Sequence, residues 1–142
     1  MSALGVALIA VLLLLAGLHL HWGLGGRWPG HDDNSLRLMV VGTKHGRMYG
    51  FWPSAMVAAA LASAALIVFA RHSGNTGPIG WIVLAGYVVL LLVFGLRGLA
   101  PYFTPAFEYA RGTPFFTLNQ SYYAPLCLLI AAGLAFDFPR SA

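Results

Sequence analysis

Long apolar stretches constrain this chain more than any other feature of its sequence. A helix that crosses a bilayer needs about 20 mostly apolar residues, and four stretches reach or approach that length. We place them at about residues 3–24, 53–70, 79–98 and 122–138. The sequence therefore predicts an all-α, polytopic membrane protein with four transmembrane helices in one bundle, and residues 1–142 form a single membrane domain.

The composition supports a membrane location and excludes other classes of protein. Hydrophobic residues make up 59% of the chain and charged residues 8%, whereas a soluble domain carries about 25% charged residues. The net charge of +4 arises because there are only 4 acidic residues, and the basic residues form no run, so we expect no nucleic-acid partner. The single cysteine, Cys127, excludes an internal disulfide and a CxxC motif.

The connecting segments are unequal in length and in charge. Residues 25–52 and 99–121 form long loops on one side, while both termini and residues 71–78 lie on the other. The positive-inside rule assigns the more basic side to the cytoplasm, so we expect cytoplasmic long loops, external termini and a bacterial inner membrane. The first side carries six basic residues and the second two: Arg27, Arg37, Lys44, Arg47, Arg97 and Arg111 against Arg71 and Arg140.

Two histidines close the first predicted span. His19 and His21 are about 200° apart on a helix, so they cannot share one ligand or one pocket. One interpretation is an interfacial belt, in which Trp22 and Trp28 lie at headgroup depth. The other is a ligand or proton site that His19 forms with groups from other spans. Neither a metal motif nor a facing pair of histidines for haem is present, so we expect no metal and no cofactor.

Polar and aromatic residues also concentrate between the third and fourth spans. Arg97 either extends its guanidinium to the headgroups or turns inward to pair with Glu108 or with an anionic ligand. This region lies on the same side as the end of the first span. We therefore predict a polar, aromatic-rimmed pocket at one membrane face, formed by His19, Trp22, Arg27, Arg97, Arg111, Asn119 and Tyr123.

Such a pocket suits a lipid headgroup or a small amphipathic or anionic ligand. We expect a non-enzymatic binding or accessory protein whose partners are membrane lipids, with a small homo-oligomer as one form. The alternative is a membrane enzyme or redox protein that acts on a lipid-like or quinone-like substrate, with His19 as acid or base and Arg97 holding an anion. No nucleophile and base can be paired from the sequence, so we assign no catalytic residue.

The sequence also resembles a known family. The segment HLHWGLGGRW at residues 19–28, Arg97-Gly98, and YYAPLCL at residues 122–128 are similar to the domain-of-unknown-function 3995 family of small bacterial four-span membrane proteins. The resemblance implies a polytopic bacterial membrane protein without an established activity. Two departures are an aromatic residue replaced by His21 and an acid missing near Asn119. The family pattern falls on His19, Trp22, Gly25, Gly26, Arg97, Tyr123, Pro125 and Cys127.

Overall fold

The computed structural model describes residues 1–138, and these residues form helices and turns without any strand. Two of the helical segments are a 3-10 helix and a π-helical turn, which we name by their residues. In chain order the elements are α1 (Ala3–Gly23), α2 (Asp33–Val40), α3 (Phe51–Arg71), α4 (Gly77–Phe103), the 3-10 helix Pro105–Ala110, α5 (Pro114–Leu118), the π turn Asn119–Tyr123 and α6 (Ala124–Asp137).

Three helices are long and apolar enough to cross a membrane: α1, α3 and α4, with 21, 21 and 27 residues. The fourth predicted span is a shorter α-helix than expected, because α6 has 14 residues, which rise only about 21 Å. The π turn interrupts the α-helical hydrogen bonding just before it, and the Ala124 N–H donates to the carbonyl of Asn119. The all-helical prediction is confirmed for the described residues, and three of the four predicted spans are helices long and apolar enough to cross a membrane.

The predicted long loops contain more helix than we expected. Within residues 25–52, α2 begins with a reciprocal cap in which Ser35 N–H donates to the Asp32 carboxylate at 2.7 Å. That bond holds the pKa of Asp32 below its ordinary value. Within residues 99–121, α4 continues through Pro101 to Phe103 and is followed by the 3-10 helix and α5. Local caps and turns stabilise these short helices, and hydropathy does not detect them.

The long helices pack as antiparallel pairs. Helix α1 lies against α3, with Gly23 close to Ser54 at one end and Gly5 close to His72 at the other. Helix α4 lies against α6, where Gly98 leaves room for Leu128. We call the end that contains Ser2, His72 and Asp137 the terminal end, and the opposite end, which carries α2, the 3-10 helix and α5, the loop end. The buried core between them includes Leu8, Leu12, Val68, Tyr87, Ile130 and Leu134.

A buried polar cluster joins the helices at the terminal end. The His72 and Asp137 side chains are 5% and 0% exposed, and His72 Nε2 lies 2.9 Å from Asp137 Oδ2. Ser2, the N-cap of α1, donates its hydroxyl to Oδ1, and Tyr87 donates to Oδ2 at 3.3 Å. The sequence places His72 in the connecting segment 71–78, and the structure agrees, because His72 lies in a turn as the C-cap of α3; its close packing against Gly5 was not predicted.

This cluster gives a test of the fold. His72→Leu removes one hydrogen-bond partner of the buried Asp137 carboxyl group, and we expect a loss of about 1–3 kcal/mol in the free energy of unfolding. The double variant His72→Leu/Asp137→Leu removes both members of this polar pair, so it should recover most of that loss. Denaturation of the purified protein in detergent measures both values. A double variant at least as unstable as His72→Leu alone would contradict the idea that these two side chains stabilise the fold as a pair.

Candidate ligand-binding clefts at the loop end

Arg97 is the central cation of the loop end. Its Nη2 donates to Asn119 Oδ1 at 2.8 Å, and the guanidinium carbon lies 4.6 Å from the centre of the Phe107 ring. Its Nη1 is buried and has no hydrogen-bond acceptor among residues 1–138. Arg97 is therefore fixed in position by one amide and one aromatic face, while part of its donor capacity is unused.

The π turn fixes the partner of Arg97. Asn119 is 1% exposed and begins the π turn, a kind of segment that is frequent at functional sites. Tyr102, near the end of α4, donates its hydroxyl to the carbonyl of Gln120 in the same turn. Two contacts thus connect α4 to the π turn, and the one from Asn119 holds the Arg97 guanidinium without a carboxylate.

His19 and Trp22 come from the opposite helix pair. Their rings are in edge contact with centroids 5.0 Å apart. His19 Nδ1 lies 2.8 Å from the carbonyl of Leu15, and because a carbonyl only accepts, Nδ1 carries the proton. In the neutral ring Nε2 then has a free lone pair. His21 lies beside Gly26 instead, so the two histidines occupy different surroundings.

His19, Trp22 and Arg97 border one cleft of about 340 Å³, which we call the Arg97 cleft. Tyr109 closes one side and donates its hydroxyl to the carbonyl of Val41 at 2.9 Å. Burial raises the pKa of Tyr109 above its ordinary value, so the phenol stays neutral at pH 7. The other residues of the cleft are mostly apolar or aromatic: Val40, Val41, Met48, Tyr49, Pro53, Ser54, Val57 and Phe115.

Four of the seven predicted site residues do not line this cleft, and two of these four are paired with carboxylates at the surface. Arg27 forms an exposed ion pair with Asp33 at 2.9 Å. Arg111 forms two hydrogen bonds of 2.7 Å with the carboxylate of Glu108, and these bonds hold the pKa of Glu108 below its ordinary value. Pairing of Arg97 with Glu108, one of the sequence alternatives, is therefore wrong.

Asn119 and Tyr123 support the cleft from behind. Asn119 holds Arg97, as described above. Tyr123 donates its hydroxyl to the carbonyl of Met39 at 3.0 Å, and its ring packs on Phe115 with centroids 5.9 Å apart. Phe115 in turn borders the Arg97 cleft. The sequence-predicted residues thus divide into three that line the cleft, two that support it and two that pair at the surface.

A neighbouring cleft of about 350 Å³ was not predicted. We call it the Arg37 cleft, because Arg37 lines it while being 5% exposed. The sequence signal for this cleft is an arginine between Leu36 and Leu38 in an apolar run, and the charge count by itself assigns Arg37 only to the more basic side of the membrane. The His72–Asp137 pair was also missed, since 65 residues separate its members.

No group of three or more metal-ligating side chains comes together in the part of the chain that the structure describes. A family model described as "Protein of unknown function (DUF3995)" matches residues 12–134, which confirms the resemblance carried by the sequence motifs. No protein of curated function and no solved structure matches the chain.

Proposed function

Since the chain belongs to the family described as "Protein of unknown function (DUF3995)", we propose its function from its own residues. We propose that it is a non-enzymatic membrane protein that binds a lipid or another small amphipathic anion in the Arg97 cleft. The anionic group contacts Arg97, and the apolar part of the ligand lies along the aromatic residues of the cleft.

The observation that carries this proposal is the unused donor of Arg97. Its Nη1 is buried and finds no acceptor among the described residues. A buried donor without an acceptor costs about 1–3 kcal/mol, and more when the group is charged. An anionic oxygen on a ligand supplies that acceptor and compensates the buried charge. Asn119 and Phe107 already hold the guanidinium in one position. The Arg97 side chain therefore loses little conformational entropy when the ligand binds.

The remaining residues of the cleft fit an amphipathic ligand. Trp22, Tyr109 and Phe115 provide large apolar surface beside the cation, and aromatic residues are typical of the membrane interface. His19 Nε2 accepts a hydrogen bond from a ligand hydroxyl when neutral and donates one to an anion when protonated.

The alternative of an enzyme or redox protein has one observation in its favour, which is that His19 and Arg97 line the same cleft. In that case His19 moves a proton at Nε2 while Arg97 holds an anionic group of a lipid-like or quinone-like substrate. Binding alone requires only the groups already described, whereas a reaction also requires a second reacting group. For that reason we favour the binding function.

We further propose that the chain crosses a bacterial inner membrane four times. Residues 114–137 are helical without a break and rise about 35 Å, enough for the hydrocarbon core. Asp137 contacts Ser2 and His72, which supports a fourth crossing that returns the chain to the terminal end. The basic loop end is then cytoplasmic and the terminal end external.

Cysteine labelling tests this topology. In a Cys127→Ser background, Ser73→Cys should react with a membrane-impermeant maleimide from outside the cell membrane, and His45→Cys only after permeabilisation. A reporter fused to the C-terminus should share the side of Ser73. A C-terminal reporter on the side of His45 would show three crossings and contradict the fourth span.

Quenching of Trp22 tests the binding site. In a variant that keeps Trp22 as its single tryptophan, we expect a spin-labelled fatty acid to quench fluorescence saturably, because its carboxylate reaches Arg97. Arg97→Gln should raise the half-saturating concentration by at least about tenfold, as expected from the loss of one charge-assisted hydrogen bond.

Two controls separate binding from partition into the detergent. The uncharged methyl ester of the same probe should quench Trp22 without saturation. A variant that keeps only Trp81, which is exposed near the start of α4, should show no dependence on Arg97. Equal quenching of Trp22 in wild type and Arg97→Gln would contradict the proposed site.

A further inference from the structure

The Arg37 cleft contains a buried cation that the function proposed above does not use. Arg37 lies in α2 and is 5% exposed. Its guanidinium donates to Asn34 Oδ1 through Nη2 and to Thr43 Oγ1 through Nη1, the second contact being long at 3.5 Å. Both acceptors are neutral, and no carboxylate pairs with Arg37 within residues 1–138. A buried charge ordinarily has a counter-charge.

The surroundings of this cleft are positive. Arg47 also lines it, from the irregular segment before α3. The one acidic residue of the lining, Asp33, is already paired with Arg27 at 2.9 Å. Two cations therefore face the cleft from different segments, and the charge of the lining carboxylate is neutralised.

The backbone of the cleft is suited to close approach by an oxyanion. Gly46 and Gly50 line the cleft, and Gly46 has a positive φ of 102°. Their N–H groups donate no backbone hydrogen bond among the described residues. Glycines without side chains let an oxyanion reach such N–H groups, and this arrangement recurs in phosphate-binding loops.

We propose that the Arg37 cleft binds a phosphate group, as a site separate from the Arg97 cleft. The planar guanidinium of Arg37 meets two phosphate oxygens, and Arg47 contacts a third from the other side. The phosphate belongs either to a soluble phosphate compound or to the headgroup of an anionic phospholipid, since the cleft opens at the loop end of the bundle. The two clefts share Trp22, Met48 and Tyr49 as a common wall.

To test a soluble phosphate compound as the ligand, calorimetry measures the binding of inorganic phosphate to the full chain in uncharged detergent. To test a phospholipid headgroup, the protein is placed in nanodiscs of phosphatidylcholine with and without phosphatidylglycerol, and native mass spectrometry counts the phosphatidylglycerol molecules that it retains. Saturable binding in either arm supports the proposal and identifies the source. Absence of saturable binding in both arms overturns it.

Three variants separate this cleft from general surface charge. Arg37→Gln should raise the dissociation constant, or lower lipid retention, by at least about tenfold. Arg47→Gln, at an exposed position, should weaken binding about threefold to tenfold and keeps the test valid if Arg37→Gln does not fold. Lys44→Gln is the matched control, because it removes one charge from the same segment outside the cleft, and its effect should stay below about twofold. Equal effects of Arg47→Gln and Lys44→Gln would overturn the proposal.

Discussion

The buried hydrogen bond between His72 and Asp137 is the interaction on which the arrangement of the helices depends. Both side chains lie in the protein interior, where a polar group without a hydrogen-bond partner is costly, so each partner requires the other. Ser2 and Tyr87 complete the coordination of the same carboxylate. One side chain of α6 thus contacts residues from the beginning of α1, the end of α3 and the first half of α4. Apolar contacts alone would not specify this alignment of the four helices, because apolar side chains can pack in many registers.

The helix contacts at the terminal end also determine which residues come together at the loop end. Helices α1 and α3 run antiparallel in close contact, as do α4 and α6. The register that packs Gly5 against His72 therefore packs Gly23 against Ser54. At the same end as Gly23, Arg97 donates a hydrogen bond to Asn119 at the start of the π turn. As a consequence, His19 and Arg97 come from different helix pairs and line one cleft. Residues of the short helices α2 and α5 line these clefts as well.

The sequence was informative where one physical effect dominated. Long apolar runs predicted α1, α3 and α4, since backbone groups in lipid must be satisfied within a helix. The number of predicted membrane spans between these residues also indicated that His19, Trp22 and Arg97 lie at the same end of the bundle. The 14-residue length of α6 did not follow, because hydropathy does not register a π turn. Helix α2 was missed because its eight residues depend on a cap at Asp32.

Pairing of charges was the part that sequence reasoning could not supply. Arg111 and Glu108 are three residues apart, and this local pair was open to prediction from spacing alone. Arg27 pairs with Asp33 across a turn, and His72 pairs with Asp137 across the fold; such pairs depend on tertiary register. For the same reason, counting arginines on one side could not tell that Arg37 is buried and that Arg97 keeps an unused donor.

The account's central claim is that an amphipathic anion occupies the Arg97 cleft. The most direct measurement is native mass spectrometry of the protein extracted from its own membrane in a mild, uncharged detergent. We expect a stoichiometric bound mass of an anionic amphiphile in the wild-type protein, and its loss in Arg97→Gln with Lys44→Gln unaffected. The claim would be contradicted if the wild-type protein carried no bound mass, or if Arg97→Gln kept the same number of bound amphiphiles as the wild-type protein.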